Sequence, residues 1–223
     1  MEQENQEKNV NVEEVISNSE QFIVKNQKAI IIVVAVILVV ILGFFGLRRF
    51  YFQPRQAKAN DAIFAAEQFL AQNDYKTALE GNEKHAGFLE VADHYGNTKA
   101  GKRAKYEAGL CYLHLGNYEE TAKMLRHYKG KDTFTPILAK IAEGDAECEL
   151  GNNTGALKLY EQAAKMDDNF ITTPMALFKA GMIEIMQGNG ENAKANFQKI
   201  KEQYPESTEY RDIDKYITWA ENL

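Results

Sequence analysis

The sequence predicts an all-α protein, in which a single transmembrane helix is followed by a solenoid of helix-turn-helix repeats and a C-terminal capping helix. Two observations predict this class. Residues 29–47 form an uninterrupted apolar stretch, and a pattern of small, aromatic and turn-forming residues returns at a nearly constant spacing in residues 55–223. The alternating apolar and polar pattern of a half-buried strand does not occur.

The first 28 residues are predicted to be a tail. Residues 1–11 are polar and lack aromatic side chains, which is typical of disorder. Over residues 12–23 apolar side chains share one helical face, and Asn11 and Glu14 have the spacing of a capping box. Those apolar residues are Val12, Val15, Ile16, Phe22 and Ile23. The segment is an interfacial helix, a helix that docks on a partner, or a partly ordered lead-in exposed to solvent.

Residues 29–47 are predicted to cross a membrane. Their sequence, AIIIVVAVILVVILGFFGL, contains no charged or hydrogen-bonding side chain. As a helix it spans about 28 Å at about 1.5 Å per residue, which matches the hydrocarbon thickness of a bilayer. No small-residue cleavage pattern follows, whereas Arg48, Arg49 and the aromatic residues 50–52 suit the membrane interface. We therefore predict an uncleaved anchor, with a break in the helix at Pro54.

Three pairs of glycines, each pair seven residues apart, define the repeat. The first glycines are Gly109, Gly144 and Gly181, with spacings of 35 and 37 residues. These values are close to the roughly 34 residues of a tetratricopeptide repeat. A weaker copy begins at Ala66, with Asn73 at its turn. We predict four repeats in residues 55–223, the first with an extended second helix and a turn within residues 95–104.

The repeated residue types have physical roles. The first glycine allows the two helices of a repeat to approach closely, and the second adopts a positive φ where the first helix ends. An aromatic residue on the second helix fills the remaining space. Thr135 and Thr173, each followed by proline, are predicted to cap the first helices of the third and fourth repeats.

The C-terminal residues 207–223 are predicted to form a helix that covers the last repeat. One face is apolar, and the opposite face is charged and expected to be exposed. The apolar residues are Ile213, Tyr216, Ile217, Ala220 and Leu223, and the charged residues are Asp212, Asp214, Lys215 and Glu221.

The chain resembles the tetratricopeptide family of bacterial ancillary Sec translocon subunits, and more loosely the repeat domain of a periplasmic cell-division coordinator. The matching stretches follow the anchor directly: AKANDAIFAAEQFLAQNDYKTALEG and GFLEVADHYGNTKAGKRAKYEAGLCYLHLGNYEETAKML. The resemblance implies a bacterial inner-membrane protein with a cytoplasmic tail and periplasmic repeats. It also implies that the protein works beside the secretion channel with a membrane-anchored periplasmic chaperone of the prolyl-isomerase type.

The positive charges flanking the anchor favour the opposite topology. Two basic residues precede it and four follow it, which places the repeats in the cytoplasm. They are Lys25 and Lys28 before, and Arg48, Arg49, Arg55 and Lys58 after.

No catalytic site, cofactor, metal or small-molecule substrate is expected. The histidines 85, 94, 114 and 127 are scattered, and Asp145, Glu147 and Glu149 are predicted to lie on a solvated helix face. Cys111 and Cys148 occupy different positions in the repeat frame, so their side chains point about 200° apart and we predict two free, largely buried thiols. Nucleic-acid binding is disfavoured, because the net charge of the chain is −6.

Partner binding remains as the predicted function. The resemblance implies that the concave face is lined by first-helix residues at offsets −6, −3, +1, +4 and +5 from the first glycine. In the fourth repeat these residues are Met175, Phe178, Met182, Ile185 and Met186, and the second repeat adds Tyr106, Leu110 and Leu113. Methionine-rich surfaces adapt to varied partners, such as a chaperone segment or an unfolded client. The alternative is that this stripe is ordinary core.

Two functions are therefore considered. The first is an interaction scaffold of the Sec translocon that helps to handle secreted proteins. The second is a scaffold or regulator of another envelope machine, such as cell-wall synthesis, cell division or outer-membrane assembly.

Overall fold

The computed structural model describes residues 12–223, with side chains from residue 23 onward. The predictions for residues 1–11, for the capping box and for most of the apolar face of residues 12–23 lie outside the described residues. Helix α1, Val12–Leu47, contains the predicted anchor. Its side chains from Ile23 to Leu47 are largely exposed, and this stretch is long and apolar enough to cross a membrane. A long helix whose apolar side chains are exposed all round is typical of a membrane span, so this finding favours an anchored chain.

The expected break at Pro54 is a widened helical turn rather than a loop. Residues Arg48–Phe52 form a π-helix, in which the N–H of Gln53 donates to the carbonyl of Arg48. Pro54 has no N–H, and its ring crowds the carbonyl of Phe50, four residues earlier. The wider turn accommodates both effects without leaving the helix.

The chain separates into two units, residues 1–54 and 55–223. In the second unit each helix from α4, Phe88–Tyr95, onward packs against the next, as in a solenoid. Its helices are α2 Gln53–Ala71, α3 Tyr75–Glu80, α4 Phe88–Tyr95, α5 Lys99–His114, α6 Tyr118–Leu125, α7 Thr135–Glu149, α8 Asn153–Met166, α9 Thr172–Met186, α10 Gly190–Gln203 and α11 Ile213–Glu221.

The first glycines allow the predicted close approach. A β-carbon on Gly181 would lie 2.5 Å from the ring of Phe197, which is fully buried on the second helix of the same repeat. Gly144 meets Tyr160 in the same way, and Gly109 meets a leucine instead of an aromatic residue. The glycine is therefore required by the side chain that stands sixteen residues later in each repeat.

The turns after the first helices are also as predicted. Gly116, Gly151 and Gly188 have φ values between 76° and 80°, and Asn73 takes the same role with φ of 59°. The residue that follows is Asp or Asn in all four repeats and precedes the second helix, which suits an N-cap. The predicted repeat frame does not include this position.

The second helix of the first repeat differs from the prediction. It is not extended but divided into α3 and α4 by a loop in which the backbones of Gly81 and Gly87 touch. Gly81 has φ of 83°, a conformation that ends a helix. The turn that follows is also shorter than predicted, because α5 already begins at Lys99, capped by the Thr98 hydroxyl.

The predicted capping threonines lie within their helices. Helices α7 and α9 begin at Thr135 and Thr172, which is one and two residues earlier than expected. The N–H of Thr135 donates to Asp132 Oδ1 at 2.6 Å, and that of Thr172 donates to Asn169 Oδ1 at 2.7 Å. The side chain three residues before each donor therefore accepts a hydrogen bond from one of the free backbone N–H groups of the first helical turn.

Helix α11 covers the last repeat as predicted. Ile213 and Ala220 are buried against Phe197 of α10, and the predicted charged residues are exposed. Leu223 lies beyond the end of α11 and is exposed, so it does not belong to the apolar face.

Candidate functional site

A groove of about 570 Å³ lies between the first helices of the third and fourth repeats, α7 and α9. We call it the methionine groove. Its apolar lining comes mainly from α9, and its polar lining comes from α6, α7, α8, Lys179 of α9 and the segment before α11. The lining residues are Leu113, Tyr118, Asp145, Cys148, Glu149, Tyr160, Met175, Phe178, Lys179, Met182, Ile183, Met186 and Glu209.

The structure brings five of the eight predicted binding residues together in this groove. They are Leu113, Met175, Phe178, Met182 and Met186. Met186 is 63% exposed, which makes it the most accessible of the apolar side chains on α9. The stripe of methionines thus lies at a surface that a second molecule can reach.

The other three predicted residues lie elsewhere. Ile185 is only 6% exposed and packs with Phe197 and Ile200 in the C-terminal core. Tyr106 is buried in a separate cluster with Leu125, and Leu110 packs against that cluster. Ile185, Tyr106 and Leu110 therefore do not line the groove, and all three pack inside the solenoid.

Four of the five predicted residues in the groove also pack against core clusters: Leu113 and Met175 against two clusters inside the solenoid, and Phe178 and Met182 against the C-terminal cluster. The rings of Phe178 and Tyr216 meet edge to face with centroids 4.7 Å apart, and Met182 packs against the same C-terminal cluster. For Phe178 and Met182 the alternative, that the stripe is ordinary core, is correct in part, because α11 partly covers them. Met175 and Met186 do not pack against the C-terminal cluster to which α11 belongs.

A polar centre interrupts the apolar lining. Asp145 Oδ1 accepts hydrogen bonds from the Tyr160 hydroxyl and from Lys179 Nζ, each at 2.7 Å. Burial and the adjacent Asp145 carboxylate raise the pKa of the Tyr160 hydroxyl. The hydroxyl therefore stays a donor at neutral pH. This triad fixes α7, α8 and α9 relative to one another at the base of the groove.

The carboxylates of α7 are accordingly not a uniformly solvated face. Asp145 is half-buried in the triad, and Glu147 lies 3.6 Å from Arg126 and accepts from Asn152. Glu149 alone is exposed as expected. The sequence contained a signal for the triad, because Asp145 and Lys179 carry opposite charges and lie on the first helices of neighbouring repeats.

Both cysteines are free thiols, as predicted. Cys111 is fully buried, and burial raises its pKa to about 12. Cys148 is half-buried in the groove, where burial and the nearby Glu149 raise its pKa as well. Neither thiol has the depressed pKa of a nucleophile. In the described part of the chain no group of three histidine, cysteine or carboxylate side chains is arranged to hold a metal ion.

Comparison with known proteins identifies the repeat type. A family profile described as Tetratricopeptide repeat matches residues 175–207, which cover nearly all of α9 and all of α10. No curated protein matches the chain. The chain therefore contains a tetratricopeptide repeat, a module that mediates protein–protein interaction, and the predicted all-α solenoid class is confirmed.

Proposed function

We propose that the protein is a membrane-anchored interaction scaffold that binds a segment of a partner protein in the methionine groove. The observation that carries the proposal is the stripe Met175, Met182 and Met186 on one side of an open groove whose base is fixed by a hydrogen-bonded triad. Methionine side chains are flexible and polarizable, so such a wall accepts apolar side chains of different shapes. The polar residues at the base offer hydrogen bonds to a peptide backbone.

The finer assignment rests on resemblance. We propose an ancillary subunit of the Sec translocon in the bacterial inner membrane, with its repeats in the periplasm and a membrane-anchored periplasmic chaperone as its partner. An apolar helix that precedes the repeats supports anchorage. Anchorage supports such a role, because a tether raises the local concentration of the groove near membrane-bound partners.

Topology is tested by reporters fused after Leu223 in the full-length chain. We expect a phosphatase reporter, which is active only outside the cytoplasm, to be active. A cytoplasmic reporter that is active in its place would reverse the proposed orientation and agree with the positive charges after the anchor.

The partner is tested by photo-crosslinking from the groove. A photoreactive amino acid is placed at Met186 of the full-length protein in its own membrane, and crosslinked proteins are identified by mass spectrometry. The matched control is the same amino acid at Met166, an exposed methionine outside the groove. We expect crosslinks to a secretion-channel subunit or the chaperone from position 186 only. Crosslinks to cell-wall synthesis, division or outer-membrane assembly proteins would support the second candidate function, and equal crosslinking from both positions would remove the groove from the proposal.

A further inference from the structure

A second surface of the repeat unit is strongly basic. The start of α5 and the loop between α6 and α7 are distant in sequence, yet they line two adjoining hollows of about 530 and 190 Å³ that share Lys102 and Tyr128. We call this the basic surface. Its cations are Lys99, Lys102, Arg103, Lys105, Lys129 and Lys131.

These charges are largely uncompensated. Arg103 pairs with Glu67, but in the described part of the chain none of the five lysines forms an ion pair with a carboxylate. Asp132 is the acidic residue that lines the hollows, and one of its oxygens accepts from the N–H of Thr135. The chain as a whole carries a net charge of −6, so the surface is a local concentration of positive charge on an acidic protein.

One wall of the larger hollow lies close in sequence to the anchor. Gln56 and Asn60 of α2 line the larger hollow, and the N–H of Lys99 donates to Gln56 Oε1 at 2.8 Å. Gln56 is nine residues beyond Leu47, the end of the apolar stretch. Nine residues reach at most about 32 Å even when fully extended, and about 14 Å as a helix. The chain therefore holds the basic surface within reach of the headgroup layer of the bilayer that contains the anchor.

We propose that the basic surface binds the phosphate groups of anionic phospholipids in that bilayer. The composition suits this occupant, because five of the six cations are lysines, which act as flexible point charges and do not require the fixed geometry of a bidentate arginine site. Each lysine near an anionic membrane surface contributes additively to attraction. The contact would hold the repeat unit at the membrane in a defined orientation. This inference rests on the membrane anchorage of the proposed function, but not on the methionine groove or its partner.

The test uses the full-length protein in nanodiscs of phosphatidylcholine alone, or of phosphatidylcholine and phosphatidylglycerol in equal parts. Thr133, an exposed residue of the α6–α7 loop, is replaced by cysteine and labelled with a donor fluorophore, and the bilayer carries a headgroup-linked acceptor. Cys148 is replaced by serine, whereas Cys111 is buried and does not label. Energy transfer then reports the distance of the loop from the headgroups.

We expect higher transfer with phosphatidylglycerol, and a return to the phosphatidylcholine value when salt is raised from about 0.15 M to about 1 M, since the Debye length falls from about 8 Å to about 3 Å. Neutralising Lys102, Lys129 and Lys131 to glutamine should abolish the difference, because three lysines account for an affinity change on the order of 100-fold. The matched control neutralises three exposed lysines of α8 and α10, and it should retain the difference: Lys158, Lys165 and Lys199.

Equal transfer on the two bilayers would overturn the proposal, and so would an equal loss in both triple variants. Binding of polyglutamate or RNA by a wild type that ignores phosphatidylglycerol would assign the surface to another polyanion and overturn it as well. Thermal melts of both triple variants are measured first, and we expect each midpoint to equal that of the wild type. A chain that fails to elute with nanodiscs would instead refute the anchorage, so the two failures are distinguishable.

Discussion

Ile185 and Met186 are neighbours on α9, and the structure assigns them opposite environments. Ile185 is 6% exposed within the C-terminal core, whereas Met186 is 63% exposed in the methionine groove. Consecutive helical residues differ in direction by about 100°, so an alanine at each position tests the orientation of the helix. Truncation of a buried isoleucine to alanine costs about 2 to 5 kcal/mol, and truncation of an exposed side chain costs less than about 0.5 kcal/mol.

The expected values follow from the position of each side chain. Ile185 contacts a core that α9, α10 and α11 share, so we expect Ile185→Ala to lower the free energy of unfolding by about 3 kcal/mol. For a unit of this length that change corresponds to a thermal midpoint lower by about 6 to 12 °C. Met186→Ala should leave the midpoint unchanged within about 2 °C and weaken the crosslinking or binding of the partner.

The assay is urea and thermal unfolding of the two variants, followed by circular dichroism, with partner binding measured on the folded proteins. Equal destabilisation by the two substitutions, or a stable Ile185→Ala with an unfolded Met186→Ala, would refute the assigned orientation of α9. A stable Met186→Ala that binds the partner with unchanged affinity would leave the fold intact and refute the groove.

Three further predictions concern the core, a buried acid and the thiols. Gly181→Ala should lower the urea midpoint by an amount equivalent to about 1 to 3 kcal/mol, because the added methyl group overlaps the immobile ring of Phe197; an unchanged midpoint would mean that the two helices can separate freely. Burial raises the pKa of Glu143, so its folded form binds a proton more tightly than its unfolded form. The stability that protonated Glu143 contributes is therefore fully present below about pH 4.5 and is lost as the pH rises through the folded pKa. Glu143→Gln should consequently raise the thermal midpoint at pH 7 but not at pH 4. Iodoacetamide should modify Cys148 slowly and Cys111 only after unfolding, and bound partner should protect Cys148; rapid modification of Cys111 in the native protein would contradict its burial.

The repeat frame could be predicted from the sequence because each of its positions is under a strict local constraint. Gly116, Gly151 and Gly188 need a positive φ, and Gly144 and Gly181 need the absence of a β-carbon. Few other residues satisfy these needs, so the pattern is visible without a structure. The same repeat frame predicted that Cys111 and Cys148 do not form a disulfide, because they occupy different positions in it.

The structural features that differ from the predictions depend on residues outside the repeat frame. The interruption of the second helix in the first repeat depends on Gly81 and Gly87, which lie outside the repeated positions. Ile185 is buried in the C-terminal core, to which α11 contributes Ile213 and Ala220, two residues outside the repeated positions. The basic surface joins the four cations of residues 99–105 to Lys129 and Lys131, and α6 separates the two segments in sequence. The sequence therefore shows the first cluster but not its proximity to the second.

The packing of α11 also has a consequence for the chemical ageing of the chain. A β-carbon at Gly190 would collide with the carbonyl oxygen of Ala220, so this position must be glycine and the chain carries an Asn189–Gly190 pair. In a flexible peptide such a pair deamidates readily, because the unshielded glycine nitrogen attacks the asparagine side chain to form a cyclic imide. Here Gly190 is the first residue of α10, and the Asn189 side-chain amide donates to Glu184 Oε2 at 2.7 Å. Both reacting groups are held in place, so the folded protein protects a dipeptide that its own packing requires. Damage at this position should accumulate only in molecules in which the turn between α9 and α10 has unfolded.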